Sequence, residues 1–223
     1  MIQPETFQFL KDLRKNNNKD WFDANRNVYK QVKGQFEHFT EKVIFEIGKF
    51  DKESSYTTAK DSIFRINRDI RFSRDKLPYK NNLGAFIAKG GRKGTHAGYY
   101  IHVEPGGCFL AGGIYMPAAS VLKAIRLEIY ENINEFREII HAPSFIQHFG
   151  NELWGDKLKS APRGFPKDFP DIEYLKYKHY TVFKNQPDAV LQKPDFLQEV
   201  ILVFQAMFPF NSFINRAVDE SAA

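Results

Sequence analysis

Glycine is concentrated in one stretch of this 223-residue chain, and that stretch constrains the fold more than any other feature. Nine of the fourteen glycines lie between Gly84 and Gly113, interspersed with short β-rich runs. The runs are LGAFIA (83–88), GYYIHVE (98–104) and GCFLAGGIYM (107–116), with SIFRI (62–66) before them and HYTVFK (179–184) after them. Because the central gaps are too short for helical crossovers, we expect antiparallel strands, with a hairpin loop at Pro105-Gly106-Gly107.

Helices are predicted on both sides of this region. Apolar residues recur at three- and four-residue steps over 21–50, where Asp20 is a suitable N-cap, and over 122–140. A shorter helix is expected over 5–15, and a final one over 196–208, which Pro209 should stop. The predicted fold class is α+β, a single domain over 1–223. It is helical over 1–50, has a glycine-rich, mostly antiparallel sheet over 60–117, and is helical and loop-rich over 118–223.

Cysteine content and hydropathy bear on where the protein works. The N-terminus lacks the uninterrupted apolar run of a secretory signal, and we expect no later segment to be long enough to span a bilayer. The single cysteine, Cys108, excludes an internal disulfide and a zinc site built from several thiolates. These features predict a soluble cytoplasmic protein without a membrane partner.

Positive charge is as localised as glycine. Between Lys60 and His96 there are ten Lys or Arg and three Asp, a net charge of +7, whereas the whole chain carries +5. Arginines at a strict spacing of three begin this basic segment. A local positive field indicates a site, because guanidinium groups bind phosphate and carboxylate through paired donors. The candidate ligand-binding residues are Arg65, Arg68, Arg71, Arg74, Lys80 and Tyr100.

Two other interpretations of the arginines remain open. Asp69 and Asp75 lie among them, and Glu104 could face them across the sheet, so the charges could form an internal ion-pair network. The basic segment could also dock on an acidic protein or on nucleic acid, although a nucleic-acid binder usually spreads its charge along a face. The nearby GGRKGT (90–95) matches neither the phosphate-loop nor the dinucleotide pattern, which favours a flexible hairpin tip.

His102 and Glu104 are the candidate catalytic residues. They are two positions apart on one predicted strand and therefore share a face, where a histidine could act as acid and base. A metal held with His96 is disfavoured, because no H-E-x-x-H or EF-hand pattern accompanies them, and we predict no metal site. Cys108 lies in an apolar run, where a buried, inert thiol is expected. The sequence identifies no cofactor.

The stretch FRINRDIRFSRDKLPYKNN (64–82) resembles the signature of a widespread bacterial family known as domain-of-unknown-function family 2461. Two further segments are similar to that family, GYYIHVEPGGCFLAGGIYMP (98–117) and RGFPKDFPDIEYLKYKHY (163–180). The resemblance covers nearly the whole chain and implies a cytoplasmic single-domain protein. It implies no activity, substrate or cofactor.

The leading functional hypothesis is binding of an anionic small molecule, bearing phosphate or carboxylate, in an arginine- and glycine-rich cleft. Hydrolase or transferase chemistry would then rest on electrostatic stabilisation and on His102. The alternatives are a non-enzymatic module that binds an acidic protein or nucleic acid, and a purely architectural Arg/Asp network. Whether the protein is an enzyme, and its oligomeric state, are left open by the sequence.

Overall fold

A four-stranded antiparallel sheet forms the middle of the molecule, with helices before and after it in the chain, which confirms the predicted α+β class. The computed structural model describes residues 1–222. The strands, in their spatial order, are β1 (Leu83–Ile87), β2 (Gly98–Val103), β3 (Phe109–Ile114) and β4 (Tyr180–Asn185). The helices are α1 (Pro4–Lys15), α2 (Lys19–Ala24), α3 (Arg26–Ile47), α4 (Lys52–Ser55), α5 (Ala59–Ser62), α6 (Ala119–Glu131), α7 (Ile133–Ile140), α8 (Pro143–Phe149), α9 (Ile172–Leu175), α10 (Asp188–Leu191) and α11 (Phe196–Ala222).

The two faces of the sheet have different surroundings. Along β2, Tyr99 and Ile101 are buried on the helix-covered face, while Tyr100 and His102 lie on the opposite, partly open face. Helix α11 packs directly on the covered face, where Asn211 Nδ2 donates to the carbonyl of Gly98 (3.0 Å). Alternation along the strands therefore leaves every second residue of the sheet available to a cleft.

Two of the predicted helices are each interrupted once. The first is divided into α2 and α3 at Asn25, whose side-chain amide donates to the carbonyl of Trp21 (2.9 Å). The N-cap is Asn18 rather than Asp20, since the Asn18 side chain accepts from the Trp21 backbone N–H (3.0 Å). The second is divided into α6 and α7 at Asn132. Apolar periodicity continues across both breaks and does not detect them.

The run SIFRI does not form the predicted strand. Ser62 ends α5, which is capped by Thr58, and the residues after it pair only at the isolated bridges Ile63↔Ala85 and Asn67↔Tyr79. Phe64, in the middle of the run, is 36% exposed. The short helix uses the first residue of the run, and of the two isolated bridges only Ile63↔Ala85 joins the rest to β1.

Pro209 does not end the last helix, contrary to the sequence prediction. Helix α11 continues to Ala222 with Pro209 inside it, and Phe210, Phe213 and Ile214 beyond the proline are buried. Burial of this apolar face outweighs one missing backbone hydrogen bond. The uninterrupted helix is long and apolar enough to cross a membrane by length and composition, so the expectation that no later segment could do so is wrong. Half of that stretch is buried in the fold, which is compatible with the core helix of a soluble protein.

Candidate functional site

The open face of the sheet is the floor of a cleft of about 790 Å³. Aromatic side chains from all four strands line it, namely Phe86 of β1, Tyr100 of β2, Phe109 of β3 and Phe183 of β4 with its neighbour Trp154. The connection between β1 and β2 borders one end, where Arg92 and His96 also line the cleft. The cleft is therefore mainly apolar, with cationic groups on the β1 side.

A row of hydrogen bonds runs along one edge of the cleft. The Tyr100 hydroxyl lies 3.0 Å from Nδ1 of His102, and Nε2 of His102 lies 3.1 Å from Oε2 of Glu104. The other carboxylate oxygen of Glu104 accepts from Nη2 of Arg14 (2.9 Å). With a proton on Nε2 donated to Glu104, Nδ1 is free to accept the proton of Tyr100. The arrangement can move a proton between the cleft and His102.

Burial controls the protonation of this row. Burial raises the pKa of Tyr100 to about 12, and the negative charge of Glu104 adds to the effect. Burial also lowers the pKa of His102, which the hydrogen bond and charge of Glu104 oppose and the charge of Lys80 reinforces. The cleft therefore holds a protonated phenol against a neutral imidazole near neutral pH, a pair suited to acid–base chemistry.

We expect His102→Asn to reduce the loss of stability on acidification. The pKa of His102 is lowered in the folded protein from the 6.5 of an ordinary histidine, so the unfolded chain takes up the proton more readily. Protonation of His102 therefore favours the unfolded chain, and the folded state loses stability as the pH falls below 6.5. Melting temperatures at about pH 8 and about pH 5.5 should differ more for the wild type than for His102→Asn, and the exposed His38→Asn serves as the control. If the melting temperature changes equally with pH in the wild type and in His102→Asn, the pKa of His102 is not lowered by folding.

Lys80 is the cation best placed in the cleft. It is partly buried, lines the cleft, and its ammonium group lies 5.2 Å from the ring centre of Phe64. Within residues 1–222, no carboxylate lies in ion-pair range of its nitrogen. Burial, and then the nearby charge of Arg65, lower the pKa of Lys80.

The four arginines at a spacing of three do not line the cleft. Arg68 is paired with Asp75 (2.5 Å) and Arg71 with Asp69 (2.7 Å), in the loop that leaves and returns to the sheet between residues 67 and 79. Arg65 and Arg74 are exposed. Among the described residues that line the cleft, none is one of these four arginines. The structure thus places Lys80 and Tyr100 in the cleft lining, with His102 bonded to Tyr100, and it leaves these four arginines outside that lining.

Several other sequence candidates have local partners. Arg92 donates to the carbonyl of Lys60 (2.7 Å), which anchors the 3₁₀ turn Gly91–Lys93, and His96 contacts Asp219 (2.9 Å). Over residues 1–222, no three His, Cys, Asp or Glu side chains converge as a metal site requires. Cys108 is buried, burial raises the pKa of its thiol to about 12, and its S–H donates to the carbonyl of Glu104 (3.1 Å).

Some cleft residues carry no signal in the sequence. Arg14, which completes the hydrogen-bonded row, is ninety positions from Glu104. Phe109, Phe183 and Trp154 look like ordinary core residues, because aromatic residues in strands usually pack inward. Only the pairing register shows that they surround the same opening.

Comparison with known proteins supports the family resemblance. The family model described as "Conserved hypothetical protein (DUF2461)" matches residues 5–213. Searches among curated proteins and among solved structures gave no match. Since the matched region is nearly the whole chain, the protein belongs to the DUF2461 family of conserved hypothetical proteins.

Proposed function

We propose that the protein binds a small anionic molecule, bearing phosphate or carboxylate, in the cleft over the open face of the sheet. The observation that carries this proposal is Lys80, a partly buried ammonium group that lines the cleft without a carboxylate partner among residues 1–222. Removing an ammonium group from water without a counter-charge is unfavourable, and a bound anion would supply that charge. Perturbed ionisable groups in a cleft are typical of functional sites.

Tyr100 and His102 support acid–base chemistry on that ligand, of a hydrolase or transferase type. In a hydrolysis, water would attack the phosphorus or carbonyl carbon while the bond to the leaving oxygen breaks. The Tyr100 hydroxyl would give its proton to that oxygen, the positive charge of Lys80 would stabilise the phenolate, and the proton released by the attacking water would return to the phenolate. His102, oriented by Glu104, is a positioning residue that would hold the phenol in place. Cytoplasmic action is part of the same proposal, since the one cysteine is free and buried.

Lys80→Met is the test of the anion contact. A charge-assisted hydrogen bond contributes about 1.5–3 kcal/mol, so we expect roughly ten- to hundredfold weaker binding of pyrophosphate by titration calorimetry. The melting temperature in the absence of anion should hardly change, because methionine keeps the packing over Phe64. Arg74→Met, an exposed cation of the same segment, is the matched control and should bind pyrophosphate like the wild type.

The same pair of variants discriminates the rival function. If the basic segment is the binding surface, Arg74→Met should weaken binding and Lys80→Met should not. Binding should then also fall steeply with salt, since exposed charges are screened and a partly buried site is screened less. Phe72, which is 96% exposed beside Arg71, is the observation that favours such a surface. Unchanged pyrophosphate binding by Lys80→Met would refute the proposal for the cleft.

A further inference from the structure

The strand register places four side chains of the open face in one row across the sheet. Phe86 is opposite Tyr100, Tyr100 is opposite Ala111, and Ala111 is opposite Phe183. Three members of the row are aromatic, and the fourth is a single methyl group. The next residue of β3 on this face is Gly113, which has no side chain. The third strand therefore leaves a gap at Ala111 and Gly113, which Phe109 closes at one end through ring contacts with Tyr100 (5.7 Å) and Phe183 (6.4 Å).

The aromatic side chains beside this gap are held away from it. The Tyr100 hydroxyl lies 2.5 Å from the position that a Cβ on Gly84 would take, so the ring leans over β1 rather than over β3. On the other side, Phe183 makes an edge contact with Trp154 (5.8 Å between ring centres, 82° between planes). The space above Ala111 is consequently a trough with aromatic walls that other contacts keep in place.

The trough has the width of a flat ring. Tyr100 and Phe183 stand two strand spacings apart, about 10 Å between their backbones. Aromatic walls favour a planar ring over an aliphatic chain, because they offer stacked and edge-to-face contacts. An apolar opening of this kind, with few polar groups at its edge, is typical of small-molecule sites. Phe64 links the charge to the trough, because its ring contacts the Tyr100 ring edge-on (6.1 Å between ring centres) and lies 5.2 Å from the Lys80 ammonium group.

We propose that the cleft takes one molecule that joins a flat aromatic ring, lying over Ala111 between Tyr100 and Phe183, to an anionic group that reaches Lys80. A nucleoside phosphate has this chemistry. The inference rests on the proposed function for its anion contact and adds the class of ligand.

The test compares ring-bearing with ring-free anions by titration calorimetry. AMP, ADP and ATP carry the same flat aromatic base with one, two or three phosphates, while ribose 5-phosphate and pyrophosphate carry no aromatic ring. For the wild type, we expect at least one ring-bearing probe to bind about tenfold tighter than either ring-free probe. Ala111→Leu fills the trough and should remove that advantage without changing the affinity for pyrophosphate. Ala24→Leu, at an exposed position at the end of α2, should change neither.

A second variant keeps the test decisive if Ala111→Leu does not fold. Phe183→Leu removes one aromatic wall at a partly exposed position and should also weaken ring-bearing probes selectively. If ring-free and ring-bearing probes bind the wild type equally, or if both variants keep the preference, the ring site is wrong while the anion site stands. If no probe binds the wild type at all, the proposed function and this inference fail together.

Discussion

Replacing Gly112 by alanine should lower the melting temperature by about 10 °C, from an overpacking cost of about 3 kcal/mol. A Cβ at this position would lie 1.9 Å from Sδ of Met207 and 2.6 Å from the carbonyl oxygen of Gly98. The methionine side chain can move, but the carbonyl belongs to the neighbouring strand and cannot. The added methyl group must therefore displace Met207 of α11 and push β3 away from the Gly98 carbonyl of β2.

Gly34→Ala is the matched control for this change. Gly34 is exposed on α3, and nothing lies within 4 Å of its added Cβ. Alanine should stabilise the helix there by up to about 1 kcal/mol, because glycine costs more backbone entropy. Both melting temperatures can be measured by calorimetry. A Gly112→Ala protein as stable as the wild type would show that α11 does not pack on β3 as described.

Replacing Arg216 by methionine should cost about 2–3 kcal/mol of unfolding free energy, because it leaves a buried carboxylate without its counter-charge. The carboxylate is that of Glu128, which is 6% exposed and accepts from Nε of Arg216 (2.7 Å). Glu135 binds the other side of the guanidinium group (2.7 Å) but is itself exposed. After the substitution, Asn132 is the described neighbour that still donates to Glu128 (3.0 Å).

A second substitution separates lost charge pairing from lost packing. Glu128→Gln in the Arg216→Met background removes the stranded charge and should restore at least half of the lost unfolding free energy in urea titrations. Lys176→Met is the control, because its partner Glu173 is 60% exposed and such pairs contribute less than about 1 kcal/mol. If Arg216→Met costs no more than Lys176→Met, Glu128 is not the buried charge that the structure indicates.

The strands could be predicted from sequence because their signals are local. Runs of β-forming residues separated by glycine hairpins predict antiparallel pairing, and β1 to β4 lie within the predicted runs or one residue beyond them. Helix breaks at Asn25 and Asn132 could not be predicted, since each changes the backbone at one position without disturbing the apolar pattern. The prediction that the last helix ends at Pro209 was wrong for a related reason. The local preference of proline opposes a helix, and the buried face beyond it outweighs that preference.

The candidate site was only partly predictable. His102 and Glu104 share a face because strands alternate with a period of two, and their contact follows from that rule. Which basic side chains line the cleft and which form ion pairs does not follow from any local rule. Charge density pointed to the arginines, yet Arg68 and Arg71 are paired with aspartates a few positions away.

Periodicity and neighbours along the chain were enough to predict the fold class, the four strands of the sheet, and the face shared by His102 and Glu104. Long-range packing places Lys80 in the cleft and leaves Arg65, Arg68, Arg71 and Arg74 outside its lining. It also brings Arg14 to the hydrogen-bonded row from ninety positions away. Only the tertiary structure decided that Ala111 stands between Tyr100 and Phe183. These placements depend on strand register and on packing between distant segments. Both determine where a side chain lies in the folded protein, but they leave no periodic pattern in the chain.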